Sequence, residues 1–252
     1  MRTTDWTIEQ TSIGRIAVPP SLPAGLALFS TTSDFPGYLD DEAAGRILAV
    51  VRDRFGIDAG LATCEQVHGA GVVLVGSPAQ GRWSEEPSCD ALVTRSRGLA
   101  LGVKAADCLP VTIVDANAGI VAGIHSGWRG VAARIVPAAV ERLRGGGAFE
   151  PSSTRAFFGP SIRVCCFEVG EEVVDALQRS YGPIDSFVDR TRGAKPHVDL
   201  PALTRRYLEE AGLDSDSIDD SGLCTRCAGS IFHSYRRDAA SAGRNLVIAV
   251  LA

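Results

Sequence analysis

The chain has 252 residues, 45% of them apolar and 22% charged, with a net charge of −5. This composition excludes a disordered or fibrous polymer. The acidic balance also removes the basic field that holds a nucleic-acid backbone, so no nucleic-acid partner is expected. No run nears the roughly 18 apolar residues that cross a bilayer, and the opening Met1-Arg2-Thr3-Thr4-Asp5-Trp6 lacks the apolar core of a signal peptide. No membrane contact and a cytoplasmic location are therefore expected. Without a linker, repeat or low-complexity stretch, one domain over 1–252 is the expectation.

In chain order, Ala44, Ile47, Leu48, Val51 and Phe55 recur at helical spacing, with acidic residues in the first turn. They predict a helix over 41–55 that Gly56 stops. Short β-rich runs follow at 71–75, 91–94, 99–104, 109–115 and 120–124, the last two joined by the hairpin turn Asp115-Ala116-Asn117-Ala118-Gly119. A helical period returns over 131–143, where Pro137 must kink the helix or delay its start, and Gly145-Gly146-Gly147 ends it. A strand over 154–158, helices over 171–181 and 201–211 and a closing strand over 245–251 complete the pattern. Strands and helices mixed without strict alternation predict α+β or a layered α/β sandwich with mixed sheets.

Seven cysteines, an odd number in a chain with no secretory signal, argue against a disulfide framework. Histidine is scarce, at positions 68, 125, 197 and 233 only. Three segments put a metal-capable side chain at a turn beside a predicted strand: Gln66-Val67-His68-Gly69, Ala106-Asp107-Cys108-Leu109-Pro110 and His125-Ser126-Gly127-Trp128-Arg129-Gly130. Two imidazoles and one thiolate suit tetrahedral zinc, and three protein ligands leave a fourth position open for chemistry. Copper is chemically admissible too. The spacings match no local metal pattern, so the residues alone leave a metal trio and three unrelated turn residues both open. Gly127 and Gly130 allow close backbone approach. Arg129 at a helix entrance can pair with an anion, while Trp128 either stacks on a flat ring or is packed.

The remaining cysteines read more plainly. Cys165 and Cys166 are adjacent, which disfavours joint ligation and points to packing for at least one. Cys224-Thr225-Arg226-Cys227 is a lone CxxC, formally half a zinc site or a redox pair. With no second CxxC and no thioredoxin-like context, it is assigned to packing. His233 is a fourth-ligand candidate or a hydrogen-bonded structural residue, and His197 a plain surface one. Of 25 Lys and Arg residues only Lys104 and Lys195 are lysine; guanidinium forks for anions and a codon bias both account for that, the bias more simply.

Taken in order, Gln-Val-His-Gly, Ala-Asp-Cys-Leu-Pro-Val, His-Ser-Gly-Trp-Arg-Gly, Gly-Pro-Ser-Ile with Cys-Cys-Phe-Glu-Val-Gly, and Ser-Tyr-Arg-Arg-Asp with Gly243-Arg244 closely resemble one family. It is known as the laccase-domain, multicopper polyphenol oxidoreductase, YfiH-like or peptidoglycan editing factor family. The resemblance spans about 66–244. It implies a single-domain α/β sandwich with a metal, zinc or copper, on His68, Cys108 and His125. It also implies phosphorolysis of adenosine, inosine and 5′-methylthioadenosine and deamination of adenosine. This chain departs from the family pattern at Phe29-Ser30-Thr31-Thr32-Ser33-Asp34, which lacks an arginine, and at 34–41, which is shortened. The helix after Asp199-Leu200 lacks the usual asparagine, and His233 and Ala240 replace Phe and Gly.

For deamination, zinc lowers the pKa of water for attack on C6 of the purine, and Asp107 or Glu168 is the acid that protonates ammonia. For phosphorolysis, Arg129 is the first candidate for the phosphate, with Arg236 or Arg237 second. Three rivals stand beside this reading. One is a metal-free cysteine hydrolase with Cys108 as nucleophile and His125 as base. The others are a copper polyphenol oxidase and a nucleoside-binding protein without turnover.

Overall fold

The strands Leu109–Asp115 and Asn245–Leu251 are buried at every position, Thr112, Asp115 and Asn245 included. A strand can be buried throughout only when both faces of its sheet are covered. The computed structural model describes residues 6–11, 14–76, 81–82 and 86–252, with only the backbone given at 81 and 82. The segment 1–5, read above for a leader, lies outside them.

Among the described residues the chain forms a layered α/β sandwich. One sheet has seven strands in the order Thr7–Thr11, Gly14–Val18, Leu26–Thr31, Asn245–Leu251, Leu99–Ala105, Gly60–Ala62 and Gly81–Arg82. The second has six: Ile218–Asp220, Thr154–Phe158, Leu109–Asp115, Ile120–Ser126, Ala91–Thr94 and Val72–Leu74. Both sheets contain parallel and antiparallel pairs.

Side chains of a strand alternate between faces, and the core follows that rule. Val114, Val121, Phe157, Val247 and Ala249 fill the space between the sheets. Their neighbours Ile113, Ala122, Ala156 and Phe158 turn outward to the helix Ile135–Gly145. Ile248 and Val250 turn to the helix Asp41–Phe55 on the other side. A smaller cluster lies under the helices Glu171–Tyr181 and Leu200–Glu210. Each fully buried aliphatic or Phe side chain contributes about 1.5–3 kcal/mol. No helix among the described residues is long and apolar enough to cross a membrane.

The helix expected over 41–55 occupies those residues, with Asp40 accepting the N–H of Ala43 at its start and Gly56 in the left-handed region at its end. The helical pattern over 131–143 is two helices, Trp128–Ala132 and Ile135–Gly145. The break falls at Ala133 and Arg134, where Arg134 has φ 66°. Pro137 sits in the first turn of the second helix, where its missing N–H costs nothing. Pro137 thus delays the helix and does not kink it. The strand expected over 120–124 continues to Ser126, because His125 pairs with Pro110 and Ser126 with Leu109. The strands before residue 41 were not anticipated from periodicity; Leu26–Thr31 is buried throughout and lacks alternation.

Candidate metal centre and pocket

Sheet pairing brings the three candidate segments to one edge. Leu109–Asp115 and Ile120–Ser126 form an antiparallel hairpin, so Cys108, just before the first strand, meets His125 near the end of the second. Ile124 pairs with Ala91, and Ala91 pairs in parallel with Val72, which sets Asp90 and the His68–Gly69 turn at the same end. The ligand atoms of His68, Cys108 and His125 lie within 4.8 Å of one another, with Cys108 Sγ 4.0 Å from His68 Nε2. The two imidazole rings meet edge to face at 4.7 Å.

Asp90 arranges both histidines. Its buried carboxylate lies 2.8 Å from His125 Nδ1, which turns Nε2 towards Cys108. It also accepts the backbone N–H groups of His68 at 2.9 Å and Gly69 at 2.6 Å. His68 itself has φ 60°, and those two bonds hold that turn. Gln66 adds a second anchor, exchanging hydrogen bonds with the backbone of Lys104 at 2.6 and 2.8 Å.

The electrostatics favour a thiolate. Burial works against charge on Cys108, but hydrogen bonds and attraction from His125 and His68 bring it down to about 6. Burial likewise opposes a charged His125, and Asp90 and Cys108 overcome it, raising the imidazole to about 9. An N, N, S donor set is of the kind zinc takes, and Asp90 supplies the partner that metal-binding histidines usually have on the other ring nitrogen. Space is reserved there as well. A Cβ on Gly127 would stand 2.7 Å from Cys108 Sγ, so only glycine fits at that position without displacing the sulfur.

The cluster opens into a pocket of about 610 Å³ that also holds Lys104, Arg129, Arg236, Arg244, Trp128 and Phe167. Arg129 lies over the Trp128 ring at 4.3 Å. The Arg236 guanidinium donates to the Glu168 carbonyl, and its backbone N–H donates to Asp107. Asp107, at φ 92°, also accepts from Thr225 Oγ1 at 2.6 Å. Asp107 lines the pocket and Glu168 does not.

Several expectations change. The Arg237 guanidinium is engaged by Asp238 and by the carbonyls of Thr225, Gly229 and Phe232, which leaves it a structural residue. His197 is buried, not on the surface, and its Nδ1 donates to the Val164 carbonyl at 2.7 Å. His233 is not among the residues whose ligand atoms converge; its backbone exchanges two hydrogen bonds with the Asn245 amide. Cys165 and Cys227 are exposed, so packing does not explain them. Gln66 and Arg244 enter the sequence reading only as parts of motifs, and Asp90, Lys104, Glu65 and Glu86 carry no functional reading there. For Asp90 the local hint is a carboxylate immediately before the strand Ala91–Thr94.

With this geometry in place, comparison with known proteins is decisive on kinship. A family model described as multi-copper polyphenol oxidoreductase laccase matches residues 40–252. The chain belongs to this family. Within it, the chain is 44% identical over 156 residues to adenosine deaminase RL5 from an unknown prokaryotic organism, covering 62% of the chain and 59% of that protein, less than two thirds of its length. It is 34% identical to the purine nucleoside phosphorylase YlmD of Geobacillus stearothermophilus over 73% of the chain and 69% of that protein. It is 36% identical to the purine nucleoside phosphorylase of Streptomyces coelicolor over 84% and 83% respectively. Among solved structures, YlmD of Geobacillus stearothermophilus superposes with a TM-score of 0.83 at 27% identity, covering 98% of this chain and 99% of that one. A YfiH protein of Bacillus licheniformis, at 23% identity and TM-score 0.84 over 97% and 99%, shows the shared fold. These relatives carry the names of enzymes.

Proposed function

We propose that this chain is a metal-dependent purine nucleoside phosphorylase, acting on adenosine, inosine and 5′-methylthioadenosine, that also deaminates adenosine. The observation that carries the reading is the convergence of two imidazoles and a thiolate on a pocket furnished with Lys104, Arg129, Arg236 and Arg244. The names of the relatives support the substrate class. His68, Cys108 and His125 would hold zinc, with copper the other candidate, and the bound ion supplies Lewis acidity beside the substrate.

The chain's own residues do the remaining work. Asp90 orients His125 and holds the His68 turn. Arg129 faces the pocket as the phosphate ligand, its planar fork matched to an oxyanion, and Arg236 is the second. Trp128 and Phe167 offer apolar surface to a purine ring. Asp107, which lines the pocket, is better placed than Glu168 to take a proton from the attacking water and pass it to the departing ammonia. A cytosolic, single-domain enzyme remains part of this proposal.

Incubation with adenosine, with and without phosphate, tests it: adenine is expected only with phosphate and inosine without it, both resolved by chromatography. Absence of both products overturns the reading in favour of nucleoside binding without turnover.

One observation favours a second reading. Cys108, His125 and Asp90 align as nucleophile, base and orienting acid, the arrangement of a cysteine hydrolase. Turnover that persists in fully metal-depleted protein would establish it. A multicopper oxidase is weaker, because four histidines are too few for several copper centres.

A further inference from the structure

The motifs the active-site reading leaves unused, Cys165-Cys166 and Cys224-Thr225-Arg226-Cys227, come together in space. Their four sulfurs lie within 4.8 Å of one another. Cys227 Sγ stands 3.6 Å from Cys165 Sγ and 3.2 Å from Cys166 Sγ. In a tetrahedral zinc site with Zn–S near 2.3 Å, the sulfurs lie about 3.8 Å apart, so the cluster has the dimensions of such a site.

Donors converge on two of the four sulfurs. Backbone N–H groups of Cys227, Arg163 and Arg226 are directed at Cys224 Sγ, so the turn between the two CxxC cysteines points its donors back at the first sulfur. The Arg226 guanidinium bonds to Cys166 Sγ. The two segments are also held in register without an ion. Ser161 bridges Cys224, the Thr225 N–H donates to the Ser161 carbonyl, and the Ser161 N–H donates to that of Leu223.

We propose that Cys165, Cys166, Cys224 and Cys227 form a second, structural metal site that takes zinc. Four protein thiolates close the coordination shell, leaving no position for substrate. Binding releases the protons that the four thiols still carry. The site ties the segment containing Ile162 and Phe167, which line the pocket, to the turn whose Thr225 hydroxyl bonds Asp107. The ion thereby braces one wall of the pocket from behind.

Metal counting tests this directly. Zinc-supplemented wild-type protein should carry two zinc ions per chain. The Cys224→Ser/Cys227→Ser double variant should carry one, and Cys108→Ala should also carry one, retained at the four-cysteine site. With cobalt(II) in place of zinc, the thiolate-to-cobalt absorption should fall by about four-fifths in the double variant, because loss of the site leaves Cys108 as the one ligating thiolate of five. A readout without substitutions guards against a variant that fails to fold. In wild-type protein zinc should protect all four cysteines from iodoacetamide together, and a chelator should release them together, as followed by peptide mass spectrometry. Equal alkylation of the four with and without zinc overturns the site, as does a disulfide among them in zinc-loaded protein. So does a wild-type stoichiometry of one that Cys108→Ala abolishes. That last outcome would leave the His68, Cys108 and His125 reading standing.

Discussion

The Asp90 carboxylate and His125 Nδ1 are 2.8 Å apart, and the same carboxylate accepts the backbone N–H groups of His68 and Gly69. One buried acid therefore sets the orientation of one imidazole and the backbone turn of the other.

Replacing that acid should loosen both ligands at once. Asp90→Ala is expected to weaken metal binding by about 10–100-fold, the usual effect of removing a ligand's supporting partner. A chelator-competition titration measures it. Unchanged affinity would show that His125 is held by other means.

Gly127 tests the space around Cys108. Its φ of −71° suits any residue, so Gly127→Ala places no strain on the backbone itself. The added Cβ nonetheless meets Cys108 Sγ at 2.7 Å. Metal affinity should fall at least tenfold while the circular dichroism spectrum stays that of the wild type.

The Cys108 thiol, brought down to about 6 by His125 and His68 against the opposing effect of burial, gives a signed pH dependence. In metal-free protein the thiolate persists above about pH 6 and is lost as pH falls below it. Iodoacetamide labelling of Cys108 should therefore rise with a midpoint near 6, well below that of an ordinary thiol. Bound metal should suppress the labelling. A midpoint above 8 would contradict the imidazole contacts.

The two acids singled out in the sequence should separate. Asp107→Asn alters a pocket wall and two short hydrogen bonds, so deamination should fall by more than tenfold. Glu168→Gln, outside the pocket, should stay within about threefold, since it touches no reacting group. Initial rates of inosine formation decide between them.

Much of the fold and site is legible in the sequence alone, for reasons that differ by element. The helix Asp41–Phe55 and the strands Ala91–Thr94 and Leu109–Asp115 carry their periodicity and their stops within a few residues of chain. His68, Cys108 and His125 stood out because histidine is scarce and each sits beside a strand. Asp90 did not, since its role depends on the parallel pairing of Val72–Leu74 with Ala91–Thr94, a contact no local window contains. The four-cysteine cluster was missed for the same reason. Each pair is weak by itself, and only the bridge between Ser161 and Cys224 makes them one group. The left-handed Arg134 that splits the helical pattern also had no local mark.

Stability offers a separate check. Arg163 pairs with both oxygens of buried Asp220, at 2.9 and 2.5 Å, and also donates to Ser221 Oγ. Removing one partner strands a buried charge, which costs about 3–5 kcal/mol. Arg163→Ala should lower the stability to denaturant by that amount in an equilibrium unfolding titration. A loss below 1 kcal/mol would mean that Asp220 finds another partner.

The most direct test of the central claim is the rate of adenine and inosine formation by Cys108→Ala beside wild type, with zinc content measured on the same samples. The account predicts one zinc fewer per chain and a loss of both activities of at least about a thousandfold. A Cys108→Ala protein that keeps its full zinc and converts adenosine at the wild-type rate would contradict it.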